Sequence, residues 1–405
     1  MRAGEKDYSY KNNPGLSSGQ SKYYLVSIYF IVFCAFFDTH AQMPVLAPYA
    51  VSLGAGPFVT GLVIGAYSLF NITGNFSGGT AIDRKDWRLP LLIGLIGVTA
   101  ALFLYTIVND ASQLVIVRAS HGFMGGFLVP SALAALMGGE NEQSLQRKRM
   151  AVFGATIGLA AVSGPMAAGI IAGVFGYKYV YYFLVGLMLM ASFTAISTRS
   201  GQSLDKNKQT YSPVSPFKLI KYPELRGSFI FALGTMGATG TLAAFLPTRA
   251  ELIGLDHAQT GMLFATFALT AIVMQMLWPR RLRDLIGKDC RACAVGQLLM
   301  ALALILASII NISGGLFLAL FIFGTGFGFS FQGMLALVAE GSQPEKRGRA
   351  IGSFFAFYSL GAGLVPPLGG LIWQYINLFP FYVAALTALL AMFYGRRAVS
   401  AAWSN

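Results

Sequence analysis

The chain has 405 residues, of which 55% are hydrophobic and only 11% charged, with a formal net charge of +13. A soluble domain carries roughly 25% charged residues, so this composition excludes a water-soluble fold and makes lipid the main solvent. The basic residues fall in short clusters between apolar runs, with no basic stripe and no base-recognition motif, which excludes nucleic acid as a partner.

Residues 1–22 are polar and rich in Gly, Ser and Lys, and read as a disordered tail. The apolar run that follows is too long for a signal-peptide core and is expected to remain as a membrane helix. A span needs about 20 mainly apolar residues. Such runs are expected at 23–49, 57–81, 89–109, 112–138, 150–174 and 178–198, and again at 227–252, 259–279, 291–311, 315–339, 349–373 and 378–396. Their length and lack of alternation indicate helices rather than barrel strands. The connection 199–226 divides the spans six and six; it reads either as a flexible tether or as a segment lying in the interface. The domains are therefore a tail (1–22), a six-helix bundle (23–198), a linker (199–226), a second bundle (227–398) and a short tail (399–405).

Span 1 contains FFDTHAQMPVLAPY (36–49), which places Asp38 in a stretch otherwise fit for hydrocarbon; it is the one Asp or Glu deep within a span. Gln42, four residues on, shares its helix face, whereas His40 lies on another face. Span 4 contains LVIVRASHGFMGG (114–126), with Arg118 in the span and His121 three residues later on the same face. At 1.5 Å per residue, Asp38 lies ~15 Å and Arg118 ~9 Å below the outer ends of their spans. Asp38, Gln42, Arg118 and His121 are thus expected to converge in the outer half of the first bundle. A buried carboxyl pulled one way by desolvation and the other by Arg118 suits a proton carrier; a static Asp38–Arg118 pair that fixes packing is the alternative. Mid-span polar or aromatic residues, Tyr67, Asn71, Asn75, Thr239, Gln332 and Tyr358, are candidate cavity contacts, with packing roles as the alternative for each.

Cys34, Cys290 and Cys293 are odd in number, against a disulfide framework. The CxxC at 290–293 lacks a second ligand pair, so no metal or other cofactor is expected. Of the 29 Lys and Arg residues, 26 fall on one side of the membrane when both termini are placed in the cytoplasm, as in DRKDWR (83–88), QRKR (146–149) and EKRGR (345–349). The two halves also match at a near-constant offset. Gly54 and Gly61 correspond to Gly254 and Gly261, Asp83 to Asp284, Gly125 to Gly326, and Pro165 to Pro366. That is a parallel repeat about an axis along the membrane normal.

The loop GTAIDRKDWRLPL (79–91), the R-x-x-x-G of Arg118 and Gly122, and the GPMAAG of span 5 (164–169) together resemble the major facilitator superfamily, in its twelve-helix drug/proton antiporter branch, over residues 23–398. The resemblance implies an all-α integral membrane protein of twelve transmembrane helices in two pseudo-symmetric six-helix bundles. It implies that Arg118 serves proton coupling, and that Asp83, Arg84, Arg88 and Asp284 latch the cytoplasmic ends of the halves. The loop departs from the family pattern at Asp86, where glycine is expected, and at Trp87. Gly164, Pro165 and Gly169 match the antiporter element, with Ala168 in place of its first paired glycine. The expected function is proton-coupled export of a small organic or amphiphilic molecule from the cytoplasm, in an inner or plasma membrane, as a monomer among membrane lipids. Proton-coupled import of a small metabolite and lipid or lysolipid transport are the alternatives. The sequence has no HExxH and no P-loop, so intramembrane hydrolysis and nucleotide-driven pumping are not expected.

Overall fold

The computed structural model describes residues 18–84, 86–137, 143–198, 216–277, 289–343, 347–377 and 379–403, and among them every regular element is helical. Two predicted spans divide. The first is α1 (Ser18–Ala41) followed by α2 (Leu46–Ser52), and the fourth is α5 (Ala111–Gly125) followed by α6 (Leu128–Met137). Proline causes both breaks. Pro44 has no N–H to continue the ladder beyond His40, and Pro130 has none to bond Gly126.

The other elements of the first half are α3 (Pro57–Arg84), α4 (Arg88–Ile107), α7 (Gln143–Phe175) and α8 (Tyr177–Ser197). A 3-10 turn (Pro216–Lys221) precedes α9 (Pro223–Leu252), α10 (His257–Leu277), α11 (Asp289–Ile309), α12 (Ser313–Glu340), α13 (Arg347–Ile376) and α14 (Pro380–Trp403). Among the described residues, eleven helical spans are long and apolar enough to cross a membrane. The twelfth expected span, 378–396, lies in α14, whose average is lowered by Arg396 and Arg397 near its end. The expected tails shorten, because α1 begins at Ser18 and α14 runs on to Trp403.

The repeat is visible in backbone geometry. Gly54 and Gly254 both take positive φ, 86° and 81°, which glycine adopts without steric cost. Their amides donate to Val51 and Glu251 at 2.9 Å, and the next amides, of Ala55 and Leu255, donate to Ala50 and Ala250 at 3.0 Å. Two turns 200 residues apart are therefore the same turn.

The halves meet along two seams, α3 against α13 and α7 against α10. A Cβ at Gly61 would collide with the Pro366 carbonyl, and one at Gly261 with the Pro165 carbonyl. One at Gly370 would collide with the Pro57 carbonyl, and one at Gly169 with that of His257. Under the repeat these four contacts are two, each made twice. All lie near the face opposite Ser18 and Trp403, here the far face. Towards the face carrying those chain ends, the tail face, Gly79, Gly154, Gly348 and Gly352 have open space where a Cβ would stand. The halves therefore touch backbone to backbone at the far face.

Replacing Gly61 or Gly261 by valine is expected to open this seam. With Cys34, Cys290 and Cys293 replaced by alanine, a cysteine at Thr60, 3% exposed, should change from unreactive to reactive towards a membrane-impermeant maleimide. The control Gly79→Val should leave it unreactive.

Candidate functional site

Four buried polar side chains converge between α1 and α5. Asp38, Gln42, Arg118 and His121 are 2%, 1%, 6% and 0% exposed, so each polar atom needs a protein partner. Gln42, just past the end of α1, turns back, its Nε2 donating to Asp38 Oδ1 at 2.7 Å. Its Oε1 accepts from Arg118 Nη1 at 2.8 Å. Only this amide orientation offers a donor to the carboxylate and an acceptor to the guanidinium. His121 Nε2 lies 2.9 Å from Asp38 Oδ2.

The expected convergence is present, but its wiring differs from a direct Asp38–Arg118 pair. His121 takes the carboxylate, and Gln42 stands between carboxylate and guanidinium. The reason is reach. Arg118 and His121, three residues apart, share a face of α5, and the shorter imidazole, one turn deeper, meets Asp38 first.

Aromatic rings wall this cluster. Tyr67 from α3 lies under the guanidinium, 4.5 Å from ring centroid to Cζ, a cation–π arrangement, and packs edge-on to His121 at 5.2 Å. Gly122 makes that possible, because a Cβ there would collide with the Tyr67 backbone; the glycine of R-x-x-x-G lets α3 approach α5. Tyr105 from α4 places its hydroxyl 3.3 Å from His121 Nδ1 and 3.4 Å from Arg118 Nη1. Tyr181 from α8 stacks on Tyr105 at 4.5 Å and 4°, and the Tyr49 hydroxyl of α2 donates to the Tyr105 carbonyl at 2.7 Å. Tyr105, Tyr181 and Tyr49 escaped the sequence reading, because a tyrosine in an apolar span has no spacing that sets it apart from core.

Several other expected residues have structural partners. Asn71 Nδ2 donates to the Gly122 carbonyl at 3.1 Å and Asn75 Nδ2 to Asn71 Oδ1 at 2.7 Å, so this pair clamps α3 to α5. Thr239 bonds the Thr235 carbonyl of its own helix at 2.8 Å. Tyr358 is half-buried among Phe331, Phe354 and Phe355, and Gln332 is half-buried on α12. His40 bonds the Phe36 carbonyl and stays apart from the cluster. Gly164 packs against the α1 backbone at Phe37 and Ala41, on either side of Asp38.

Arg88 donates to the Ile196 carbonyl at the end of α8, within its own half. Asp83 and Arg84 end α3, but their side chains, and all of Asp284, lie outside the described residues. Asp86, at the family's glycine position, takes φ 157°. No cluster of His, Cys, Asp and Glu fit to hold a metal occurs among the described residues, and Cys34, Cys290 and Cys293 are all free.

The second half buries a different cluster. Gln297 Nε2 donates to the Phe231 carbonyl and to Thr235 Oγ1, both at 2.8 Å, and the Thr235 and Ser330 hydroxyls lie 2.8 Å apart. It is wholly neutral. Both halves also bury charge, Asp38 and Arg118 in the first and, near helix ends, Arg249 and Asp289 in the second.

The Major Facilitator Superfamily model matches residues 28–249 and 227–404. The chain belongs to that superfamily. It is 26% identical over 342 residues to the multidrug resistance protein MdtG of Klebsiella pneumoniae, covering 81% of each chain. It is 23% identical over 328 residues to an MFS-type transporter of Methanocaldococcus jannaschii, covering 78% of this chain and 83% of that one. Among solved structures, a bacterial homolog to the human lysosomal transporter Spinster, inward-facing and unoccupied, superposes with TM-score 0.75 at 13% identity, covering 96% of each chain. The nucleoside transporter NupG superposes with TM-score 0.74 at 14% identity, covering 94% of this chain and 99% of that one. The superfamily places this protein among multi-pass membrane transporters of small molecules.

Gln42→Leu keeps the volume but removes the bridge between Asp38 and Arg118. It is expected to cost about 1.5–3 kcal/mol, as for hydrogen bonds to charged groups, read as a lowered unfolding temperature in detergent. Asn75→Leu, which leaves the Asn71 bond to Gly122 in place, should cost about 0.5–1.5 kcal/mol.

Proposed function

We propose that this transporter exports a small organic or amphiphilic molecule in exchange for protons, and that the Asp38–His121 pair carries the proton. The observation that carries this reading is the balance of the buried cluster. With Asp38 ionised and His121 neutral, the carboxylate and guanidinium cancel and the site can stay dry. One added proton leaves a net positive charge, which is costly away from water. The protonated cluster therefore belongs to a state in which the far face is open and hydrated. Closing the far face removes that water and drives the proton out by the open side. The described arrangement, shut at the far face by the Gly61–Pro366 and Gly261–Pro165 contacts, is then the proton-free, substrate-accepting state.

The coupling between proton and seam runs through α7. Gly164 lies against α1 beside Asp38, and the next residue, Pro165, offers its carbonyl to Gly261 of the other half. A shift of α1 on protonation bears directly on the seam. Arg118 Nε is buried without a partner, so the guanidinium keeps a donor for another acceptor when the network rearranges.

The clusters Arg147–Arg149, Arg347–Arg349 and Arg396–Arg397 put the tail face in the cytoplasm by the positive-inside rule. The opening is then inward, in a bacterial inner or plasma membrane, with the protein acting as a monomer. Lys178 and Arg249 fall on the far face. Arg249 is occupied there by the Ala307 and Ile310 carbonyls and Asn311 Oδ1.

Cells overproducing the native protein, or Asp38→Asn at equal membrane level, are to be profiled for small molecules inside and in the medium. Export predicts a compound depleted inside and enriched outside with the native protein alone. Uphill movement of that compound by the mutant would remove Asp38 from coupling, and accumulation inside would mean import.

A further inference from the structure

The most buried group of the cluster is His121, and the placement of its two ring nitrogens determines where its proton sits. Nε2 faces an acceptor, Asp38 Oδ2 at 2.9 Å. Nδ1 faces two groups, the Tyr105 hydroxyl at 3.3 Å and Arg118 Nη1 at 3.5 Å. A guanidinium can only donate. With a donor at Nδ1 and a carboxylate at Nε2, neutral His121 carries its hydrogen on Nε2 and accepts at Nδ1.

A second proton must then go to Nδ1, and there it needs an acceptor. Arg118 cannot supply one. The other charged and titratable groups around the ring do not reach Nδ1 either. Asp38 of α1 is on the Nε2 side, Tyr67 of α3 meets the ring edge-on, and Tyr181 of α8 lies behind Tyr105. His40 of α1 is bonded to Phe36, and Tyr49 of α2 is bonded to the Tyr105 carbonyl. Only the Tyr105 hydroxyl both reaches Nδ1 and can accept as well as donate.

We infer that Tyr105 is a positioning residue for proton uptake, a reversible hydroxyl that donates to neutral His121 and turns to accept from Nδ1–H when the ring becomes an imidazolium. This rests on the proton-coupled reading above and assigns its acceptor atom. The incoming proton forms the Nδ1–H bond and no bond breaks. Nε2–H stays on Asp38, and the tyrosine hydrogen rotates in its ring plane away from the imidazole. The one hydroxyl on the neighbouring stacked ring, that of Tyr181, is buried and without a partner. Tyr105 is itself fully buried and stacked, so its oxygen stays in place through the exchange.

The test needs no substrate, so it stands or falls separately from the direction of transport. Full-length protein in nanodiscs, labelled with 15N at its three histidines, is titrated while ring-nitrogen shifts are recorded, with His121→Gln for assignment. The native protein should show Nδ1 bare and Nε2 protonated at neutral pH, with both protonated in acid. In Tyr105→Phe, which keeps the ring stack, the doubly protonated form should appear about one pH unit lower, the excess of a hydrogen bond to a charged ring over one to a neutral ring. A native Nδ1–H signal at neutral pH overturns the assignment, as does a Tyr105→Phe titration that coincides with the native one. If Tyr105→Phe fails size-exclusion, the native tautomer decides alone: Nδ1 bare supports the assignment and Nδ1–H rejects it.

Discussion

Burying one carboxylate in a protein surrounded by lipid sets the terms for much of the first half. Asp38 cannot be hydrated where it stands, so its oxygens must be met by Gln42 and His121. Gln42 serves it from four residues on, at the end of α1 where Pro44 stops the helix. His121 can serve it only because α5 lies close, and Arg118 on the same face then brings the compensating charge. Tyr67 and Tyr105 close the remaining sides with rings whose polar tips or faces answer the guanidinium and imidazole. Four helices of the first half are thereby held around one buried polar cluster.

That balance is connected to the boundary between the halves by glycine. Gly164 lies against α1 next to Asp38, and Pro165 meets Gly261. The helix packed beside Asp38 therefore also forms one of the two far-face seams. In lipid, helices gain little from hydrophobic contact, and close approach of backbones across small residues supplies the packing instead. Such contacts are steep. Fractions of an ångström separate contact from collision, which suits a seam that is either shut or open.

The two halves share a backbone plan but divide the chemistry. The twin turns at Gly54 and Gly254 and the paired seam contacts follow the repeat closely. The polar interiors do not. Where the first half buries Asp38, Arg118 and His121, the second buries Gln297, Thr235 and Ser330, a set with no charge to lose. Its Arg249 is spent on helix-end carbonyls at the far face.

Hydropathy alone determined the helical membrane class, and the charge clusters, glycines and prolines determined the repeat, because these depend on composition and local spacing. The convergence of Asp38, Gln42, Arg118 and His121 was legible too, since a charge inside an apolar span is rare and the spacings of three and four residues fix a helix face. Tertiary structure alone decided how those four connect, because the choice between Arg118 and His121 as partner of Asp38 depends on side-chain reach across two helices. It also gave Asn71 and Asn75 the bonds that join α3 to α5, seated Gly164 against α1, and set Pro165 and Gly169 in a seam between the halves. Tyr105 left no trace in the sequence, because a tyrosine in an apolar span reads as core until its hydroxyl is seen to face a histidine nitrogen.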